Sequence, residues 1–92
     1  MDTLNQEQIE AALGELGEWG FDHDSFTRTF RFADFMHAIG FVERLAEVAE
    51  ERRHHPDIDI RYNKVTLRLS SHDAGGVTKR DVELAEAIEH LV

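Results

Sequence analysis

Apolar residues recur along the chain with two periods, one typical of helices and the other typical of strands. Spacings of three and four residues predict helices over residues 5–16, 33–53 and 78–91. Alternation of apolar and polar residues predicts strands over residues 19–22, 25–32, 57–62 and 64–69. The predicted element order is therefore helix–strand–strand–helix–strand–strand–helix.

Short polar turns separate the strands of each neighbouring pair. His23-Asp24 joins the first two strands, and a tight turn at Asn63 joins the last two, which indicates two hairpins. Every strand has one apolar face, so the economical packing is an α+β fold in which three helices cover one face of a four-stranded, largely antiparallel sheet. No linker, repeat or low-complexity tract divides the sequence, and residues 1–92 are predicted to form a single domain.

The helix predicted over residues 33–53 is apolar on more than one side. One stripe has offsets of four and three residues: Phe35, Ile39, Val42, Ala46 and Ala49. Further apolar residues widen this face: Met36, Phe41, Leu45 and Val48. We expect so broad a face to be covered twice, by the sheet and by another copy of the chain.

Composition excludes several classes of function. Ten basic residues against nineteen acidic ones give a net charge of −9, which argues against partners that are nucleic acids or anionic membrane surfaces. The absence of cysteine excludes a disulfide scaffold, a cysteine-ligated zinc site and a thiol nucleophile. There is no apolar run of about 18 residues and no basic, apolar leader. We therefore expect a soluble, cytoplasmic protein.

Three of the six histidines are predicted to lie at one end of the sheet. His54 and His55 come between a helix and a strand, and His72 follows the next hairpin. In an antiparallel hairpin about Asn63, paired positions have numbers that sum to about 126, which places His54 opposite a position near His72. Imidazoles titrate near pH 6.5, so such a cluster is suited to donating and accepting protons at neutral pH.

Each of these residues also has a structural interpretation. His54 and His55 could serve as cations at a helix C-terminus, and His72 could be a polar loop residue. Thr78-x-x-Asp81 has the form of a capping box, and Glu50 could be a solvated helix residue.

Two other kinds of site fit these residues less well. Three histidines and a carboxylate could bind zinc, but their spacing matches no zinc motif, and adjacent residues on an extended segment point in opposite directions. A serine triad using Ser70 or Ser71 lacks the glycines of a nucleophile elbow. We expect no metal and no serine nucleophile.

One spaced motif specifies seven positions: Glu50-x-x-x-His54-His55-Pro56, five residues, Tyr62, nine residues, His72, eight residues, and Asp81. This motif resembles the signature of the pterin-4a-carbinolamine dehydratases. Similar segments are Phe30-x-Phe32-x-x-Phe35, residues 62–65 and residues 80–85, so that the similarity extends over nearly the whole chain.

The resemblance implies a fold with the same element order and an assembly into homodimers or homotetramers. In such assemblies the sheets join edge to edge and the long helices pack together. The implied activity is the dehydration of 4a-hydroxytetrahydropterin to quinonoid dihydropterin, which recycles the cofactor of aromatic amino acid hydroxylases. The resemblance implies that the reaction needs no metal and no cofactor.

The resemblance also implies roles for the residues of the motif. His54 and His72 would transfer protons, and His55 would bind the pterin. The substrate-binding set would include two carboxylates that orient the histidines, Glu50 and Asp81, and two residues that shape the pocket, Pro56 and Tyr62.

Two positions depart from the family pattern: Ile58 replaces a frequent aromatic residue, and Arg53 replaces a frequent acidic one. Two alternative functions remain, a non-catalytic oligomeric scaffold or interaction protein of the same fold and a metal-binding module.

Overall fold

The computed structural model describes residues 2–92 and confirms the predicted α+β fold class. The elements are α1 (Gln6–Leu16), β1 (Gly20–Asp22), β2 (Ser25–Arg31), α2 (Phe35–Arg52), β3 (Asp57–Arg61), β4 (Lys64–Leu69) and α3 (Lys79–Glu89). The strands form one sheet in the order β1-β2-β4-β3, and all neighbours are antiparallel. None of the helices in residues 2–92 is both long enough and apolar enough to cross a membrane.

The hydrophobic core lies between the helices and one face of the two central strands, β2 and β4. Alternate residues of these strands are buried: Phe26, Phe30, Val65, Leu67 and Leu69. The opposite face is polar, and there the hydroxyl groups of Thr29 and Thr66 lie 2.8 Å apart. This division is the expected result of period-two alternation in a sheet that is covered on one side only.

Arg28 interrupts the apolar face of β2, and the structure gives it partners there. Its guanidinium group donates to the carboxylate of Glu89 on α3 and lies 4.1 Å from the centre of the Phe30 ring. The indole N–H of Trp19 donates to the same Glu89 carboxylate over 2.7 Å. A partly buried charge is tolerated at this position because it is paired and hydrogen-bonded.

The predicted register of β3 and β4 is wrong by one residue, because the turn between them is longer than predicted. Tyr62 and Asn63 both belong to the turn, so paired positions such as Asp57 and Arg68 have numbers that sum to 125. Tyr62 has a left-handed backbone (φ 54°) and does not continue the strand predicted over residues 57–62. This register places position 54 opposite position 71, so His72 lies one residue beyond the position opposite His54.

The face of α2 that enters the core is not the stripe aligned from the sequence. The buried residues of α2 are Ala38, Phe41, Leu45 and Ala49. Of the predicted stripe, only Ala49 is buried, whereas Phe35 is 47% exposed. The helix therefore has two apolar sides, one packed in the core and one that includes Phe35 and the 72% exposed Met36.

Candidate active site

The end of α2 turns His54 towards the interior. Arg53 adopts a left-handed conformation (φ 52°, ψ 40°), and its N–H and that of His54 both donate to the carbonyl of Ala49. Two such bonds to the last turn of a helix reverse the direction of the chain. His54 is thereby placed in the interior with only 9% of its surface exposed.

Asp81 lies in the first turn of α3 and is fully buried. One carboxylate oxygen, Oδ1, is 2.5 Å from Nε2 of His54. The other, Oδ2, accepts from the backbone N–H of Thr78 and from the hydroxyl of Ser71, each over 2.8 Å. The capping box predicted for Thr78 and Asp81 is present, and the same carboxylate also holds the imidazole.

A chain of hydroxyl groups supports this carboxylate from behind. Ser71 uses its only hydroxyl proton in the bond to Asp81, so the Thr78 hydroxyl donates in the 2.9 Å contact between Thr78 and Ser71. Both side chains are buried. Hydrogen bonds in such chains polarise one another, so the Ser71 hydroxyl becomes a stronger donor to Oδ2 and holds the orientation of the carboxylate that faces His54.

The contact with Asp81 fixes the tautomer of neutral His54. A carboxylate only accepts, so Nε2 of His54 carries the proton that is donated to Asp81. Nδ1 is then the free nitrogen of the ring and has no hydrogen-bond partner among residues 2–92. A neutral His54 therefore presents a proton acceptor at Nδ1.

His55 is held more loosely than His54. Its Nε2 lies 2.8 Å from Oε1 of Glu50, and both side chains are largely exposed. Pro56 follows directly and restricts His55 to extended backbone angles. Pro56 therefore acts on the site through the backbone of its neighbour.

His72 is the first residue of a short loop whose ends are joined. The N–H of Ser71 donates to the carbonyl of Gly76 over 2.8 Å, which closes the loop over residues 72–75. Arg80 on α3 donates to Asp73 over 2.6 Å and holds the pKa of that carboxyl below its usual 3.8. The side chain of His72 is exposed between these two anchored positions.

All three imidazoles line one surface depression of about 360 Å³, which we call the histidine depression. Its other lining residues are Arg53, Ser70, Asp73 and Arg80. Sequence reasoning singled out the three histidines but did not assign Arg80, Asp73 or Ser71 to the site. Two features of the sequence point to Ser71. It is adjacent to His72, and the hairpin register places it opposite His54.

Tyr62 is the one motif residue that the structure places elsewhere. It lies in the β3–β4 turn, at the opposite end of β3 from His54 and His55, and is 67% exposed. The five residues of β3 separate it from the depression by roughly 15 Å at about 3.3 Å per residue. Tyr62 therefore does not line the histidine depression of its own chain.

A larger depression of about 450 Å³ between α2 and α3 holds only one imidazole, that of His90. Its other ionisable lining residues are Arg52, Glu83 and Glu86, and no side-chain hydrogen bond of His90 is found in residues 2–92. In the same range, no three His, Asp or Glu side chains are grouped so that they could hold a metal ion.

Comparison with known proteins places the chain in a family. Residues 2–91 match the family model described as pterin 4 alpha carbinolamine dehydratase. The chain belongs to this dehydratase family. One relative, from Chloroflexus aurantiacus, is 46% identical over 92 residues, which is all of this chain and 99% of the relative. A second, from Thermomicrobium roseum, is 47% identical over 91 residues, covering 99% of this chain and 98% of the relative. Both carry the name "Putative pterin-4-alpha-carbinolamine dehydratase".

A solved structure has the same fold as this member of the dehydratase family. It is described as a transcriptional coactivator/pterin dehydratase from Brucella melitensis, with a TM-score of 0.94 and 33% identity. The similarity covers 98% of each chain. The resemblance that the motif carried is confirmed at the level of the family and the fold.

Proposed function

We propose that this protein is a dehydratase that converts 4a-hydroxytetrahydropterin to quinonoid dihydropterin by general acid–base catalysis. The observation that carries the proposal is the histidine depression, in which a buried carboxylate supports one of three imidazoles. Family membership supports the substrate class. The reaction would return the pterin cofactor of aromatic amino acid hydroxylases to the redox cycle.

The reaction requires one proton to be delivered and one to be removed. The C4a–O bond breaks, the oxygen leaves as water after protonation, and the electron pair of the N5–H bond becomes the second bond between C4a and N5. Nδ1 of His54 is the base that takes the N5 proton, and Asp81 stabilises the imidazolium that forms. His72, exposed in the same depression, is the acid that protonates the leaving hydroxyl.

The remaining residues bind and orient the substrate. His55, oriented by Glu50, contacts the ring system from the rim, and Pro56 fixes the backbone that presents it. Each positioned acid or base contributes typically about 10²–10⁴-fold to the rate.

The decisive experiment measures the dehydration rate of 4a-hydroxytetrahydropterin generated by a hydroxylase. We expect His54→Ala and His72→Ala each to lower kcat at least about tenfold while the protein stays folded. The matched control is His90→Ala, which removes an imidazole from the larger depression and is expected to keep the wild-type rate. Wild-type rates in both His54→Ala and His72→Ala would show that the catalytic assignment is wrong.

We also propose that the chain functions as a homodimer or homotetramer. The support is the outer apolar side of α2, with Phe35 and Met36, and Ile58 on the edge strand β3, which is 40% exposed. Sedimentation analysis of the wild type and of Met36→Glu tests this. We expect the wild type to be larger than a monomer and the variant to dissociate more readily.

A second candidate function is a non-catalytic interaction protein of the same fold. The observation that favours it is the description of the Brucella melitensis protein, which includes the words transcriptional coactivator. A correctly assembled protein that does not accelerate pterin dehydration would support this alternative.

A further inference from the structure

The segment before α1 contacts the end of the loop that carries His72. The backbone N–H of Leu4 donates to the carbonyl of Val77 over 2.9 Å. The side chain of Thr3 packs against Gly76, so that a Cβ atom added to this glycine would lie 3.3 Å from the Cγ2 methyl group of Thr3. The N-terminal segment is therefore joined to the loop by one hydrogen bond and one close side-chain contact.

This segment is itself fixed by the start of α1. Leu4 directly precedes Asn5, the N-cap of α1, which forms a capping box with Gln8. The side chain of Leu4 is partly buried against the hydrophobic core. Val77 directly precedes Thr78, the N-cap of α3. The bond from Leu4 to Val77 thus connects the N-terminal ends of two capped helices, and the segment is a fixed support for the loop.

Two further hydrogen bonds connect Gly76 and its neighbour to His72. The carbonyl of Gly76 accepts from the N–H of Ser71, which directly precedes His72, over 2.8 Å. The N–H of Gly75 donates to the carbonyl of His72 over 3.2 Å. Because the side chain of His72 is exposed, its place in the histidine depression depends on its backbone. A displacement of Gly76 is therefore transmitted to His72 through a single neighbouring residue.

We infer that Thr3 and Leu4 are positioning residues that hold the His72 imidazole in the histidine depression by fixing Gly76 and Val77. The inference rests on the proposed function for the role of His72 as the acid. Neither Thr3 nor Leu4 lines the depression, so both act on the reaction only through the loop. The loop depends on this support because three of its four residues are exposed and contribute little burial of their own.

The contact between Thr3 and Gly76 provides a test in which one methyl group moves from one side to the other. Gly76→Ala adds a carbon atom 3.3 Å from Cγ2 of Thr3, which is too close, and the loop shifts because the N-terminal segment is fixed. The φ of Gly76 is not positive, so its backbone accepts alanine. In the double variant Thr3→Ala/Gly76→Ala, only the Cβ atom of residue 3 remains opposite, at an ordinary distance of 3.8 Å. The double variant should therefore return the loop to its place.

Two quantities are measured on the full chain. One is kcat for the dehydration of 4a-hydroxytetrahydropterin generated by a hydroxylase, and the other is the ¹H–¹³C signal of the His72 imidazole, assigned by its loss in His72→Ala. We expect Gly76→Ala to move the His72 signal and to lower kcat about three- to tenfold, since a misplacement of about 1 Å can cost up to about 10²-fold. The double variant should recover most of both, so that the effects of the two substitutions are not additive.

Matched variants separate the positioning of His72 from stability alone. Leu4→Pro removes the N–H that Val77 accepts, whereas Leu4→Ala keeps it and also loses side-chain burial. We expect Leu4→Pro to move the His72 signal and to lower kcat more than Leu4→Ala does. Gly14→Ala is the control for a glycine substitution, because nothing lies within 4 Å of the added Cβ atom. It should stabilise α1 and leave both kcat and the His72 signal at their wild-type values.

The two measurements distinguish this inference from the proposed function. An active wild type, with an unmoved His72 signal and an unchanged kcat in folded Gly76→Ala and Leu4→Pro, would overturn the inference and retain the enzyme. An effect of Gly76→Ala that Thr3→Ala does not reverse would overturn the role of Thr3. A wild type that does not dehydrate the pterin, with a His72 signal that moves in Gly76→Ala and returns in the double variant, would reject the proposed function and retain the support of the loop.

Discussion

Nε2 of His54 lies 2.5 Å from Oδ1 of Asp81, and the two residues are brought together by different helix ends. His54 follows the C-terminus of α2, whereas Asp81 belongs to the first turn of α3. The carboxylate therefore has two functions, because it caps α3 and also sets the tautomer of the imidazole. The capping box predicted for Asp81 is present, whereas its part in catalysis stays a prediction.

Asp81→Asn should lower kcat for pterin dehydration at least about tenfold, because the amide cannot reproduce this acceptor. If the amide oxygen takes the bonds from Ser71 and Thr78, the amide nitrogen faces His54 and moves the ring proton to Nδ1. Nδ1 of His54 then carries a proton and cannot act as the base. The measurement is kcat as a function of pH, with Glu83→Gln on the same helix as a control. A folded Asp81→Asn protein with the wild-type kcat would contradict the assignment.

Ser71→Ala should destabilise the fold by roughly 1–3 kcal/mol, because Asp81 loses a donor and the Thr78 hydroxyl loses its acceptor inside the protein. It should also lower kcat, since the carboxylate is then free to rotate away from His54. Urea unfolding and kcat are measured together with those of Ser71→Thr, which restores the hydroxyl. We expect Ser71→Thr to recover kcat more fully than stability. A stable and fully active Ser71→Ala would show that the hydroxyl chain does not position Asp81.

Local sequence patterns predict much of this arrangement. The rest depends on packing between residues that are distant in the sequence. Alternation in β2, β3 and β4 and the Thr78–Asp81 capping box are short-range signals, and the elements they predict are present. The convergence of His54 and His72 required only the register of one hairpin, in which an error of one residue at Tyr62 still left the two residues near each other.

Three features could not be predicted from local patterns. The core face of α2 is chosen by the sheet below it, so helical spacing alone did not distinguish Phe41 from Phe35 as the buried residue. The pairing of Arg28 with Glu89 joins residues 61 positions apart and depends on where α3 crosses β2. The position of Tyr62 depends on a left-handed turn residue that is neither glycine nor asparagine.

The pair formed by Arg28 and Glu89 predicts non-additive stability. Glu89→Gln keeps an acceptor for the Trp19 indole but leaves the partly buried Arg28 without a counter-ion, which should cost roughly 1–3 kcal/mol. Adding Arg28→Met removes the unpaired charge and should recover part of that loss. Urea unfolding of the two single variants and the double variant gives the coupling energy. Strictly additive losses would mean that the two side chains do not stabilise each other.

The ion pair between Asp73 and Arg80 predicts a stability difference that depends on pH. Arg80 lowers the pKa of Asp73 below 3.8 in the folded protein, so the contribution of this carboxylate is fully present above pH 3.8 and is lost as the pH falls through the lowered folded pKa. The wild type should therefore be more stable than Asp73→Asn by a constant amount between pH 5 and 8, and the difference should shrink below pH 3.8.

Thermal unfolding of the wild type and of Asp73→Asn across that range measures this difference. Asp59→Asn is the control, since its carboxylate pairs with Arg61 on the same strand and does not anchor the loop that carries His72. The pH dependence of kcat between pH 6 and 8 should be the same in Asp73→Asn as in the wild type, because the lowered pKa of Asp73 keeps its carboxylate ionised throughout that interval. A stability difference that grows as the pH falls below 3.8 would mean that the ionised carboxylate does not hold this loop.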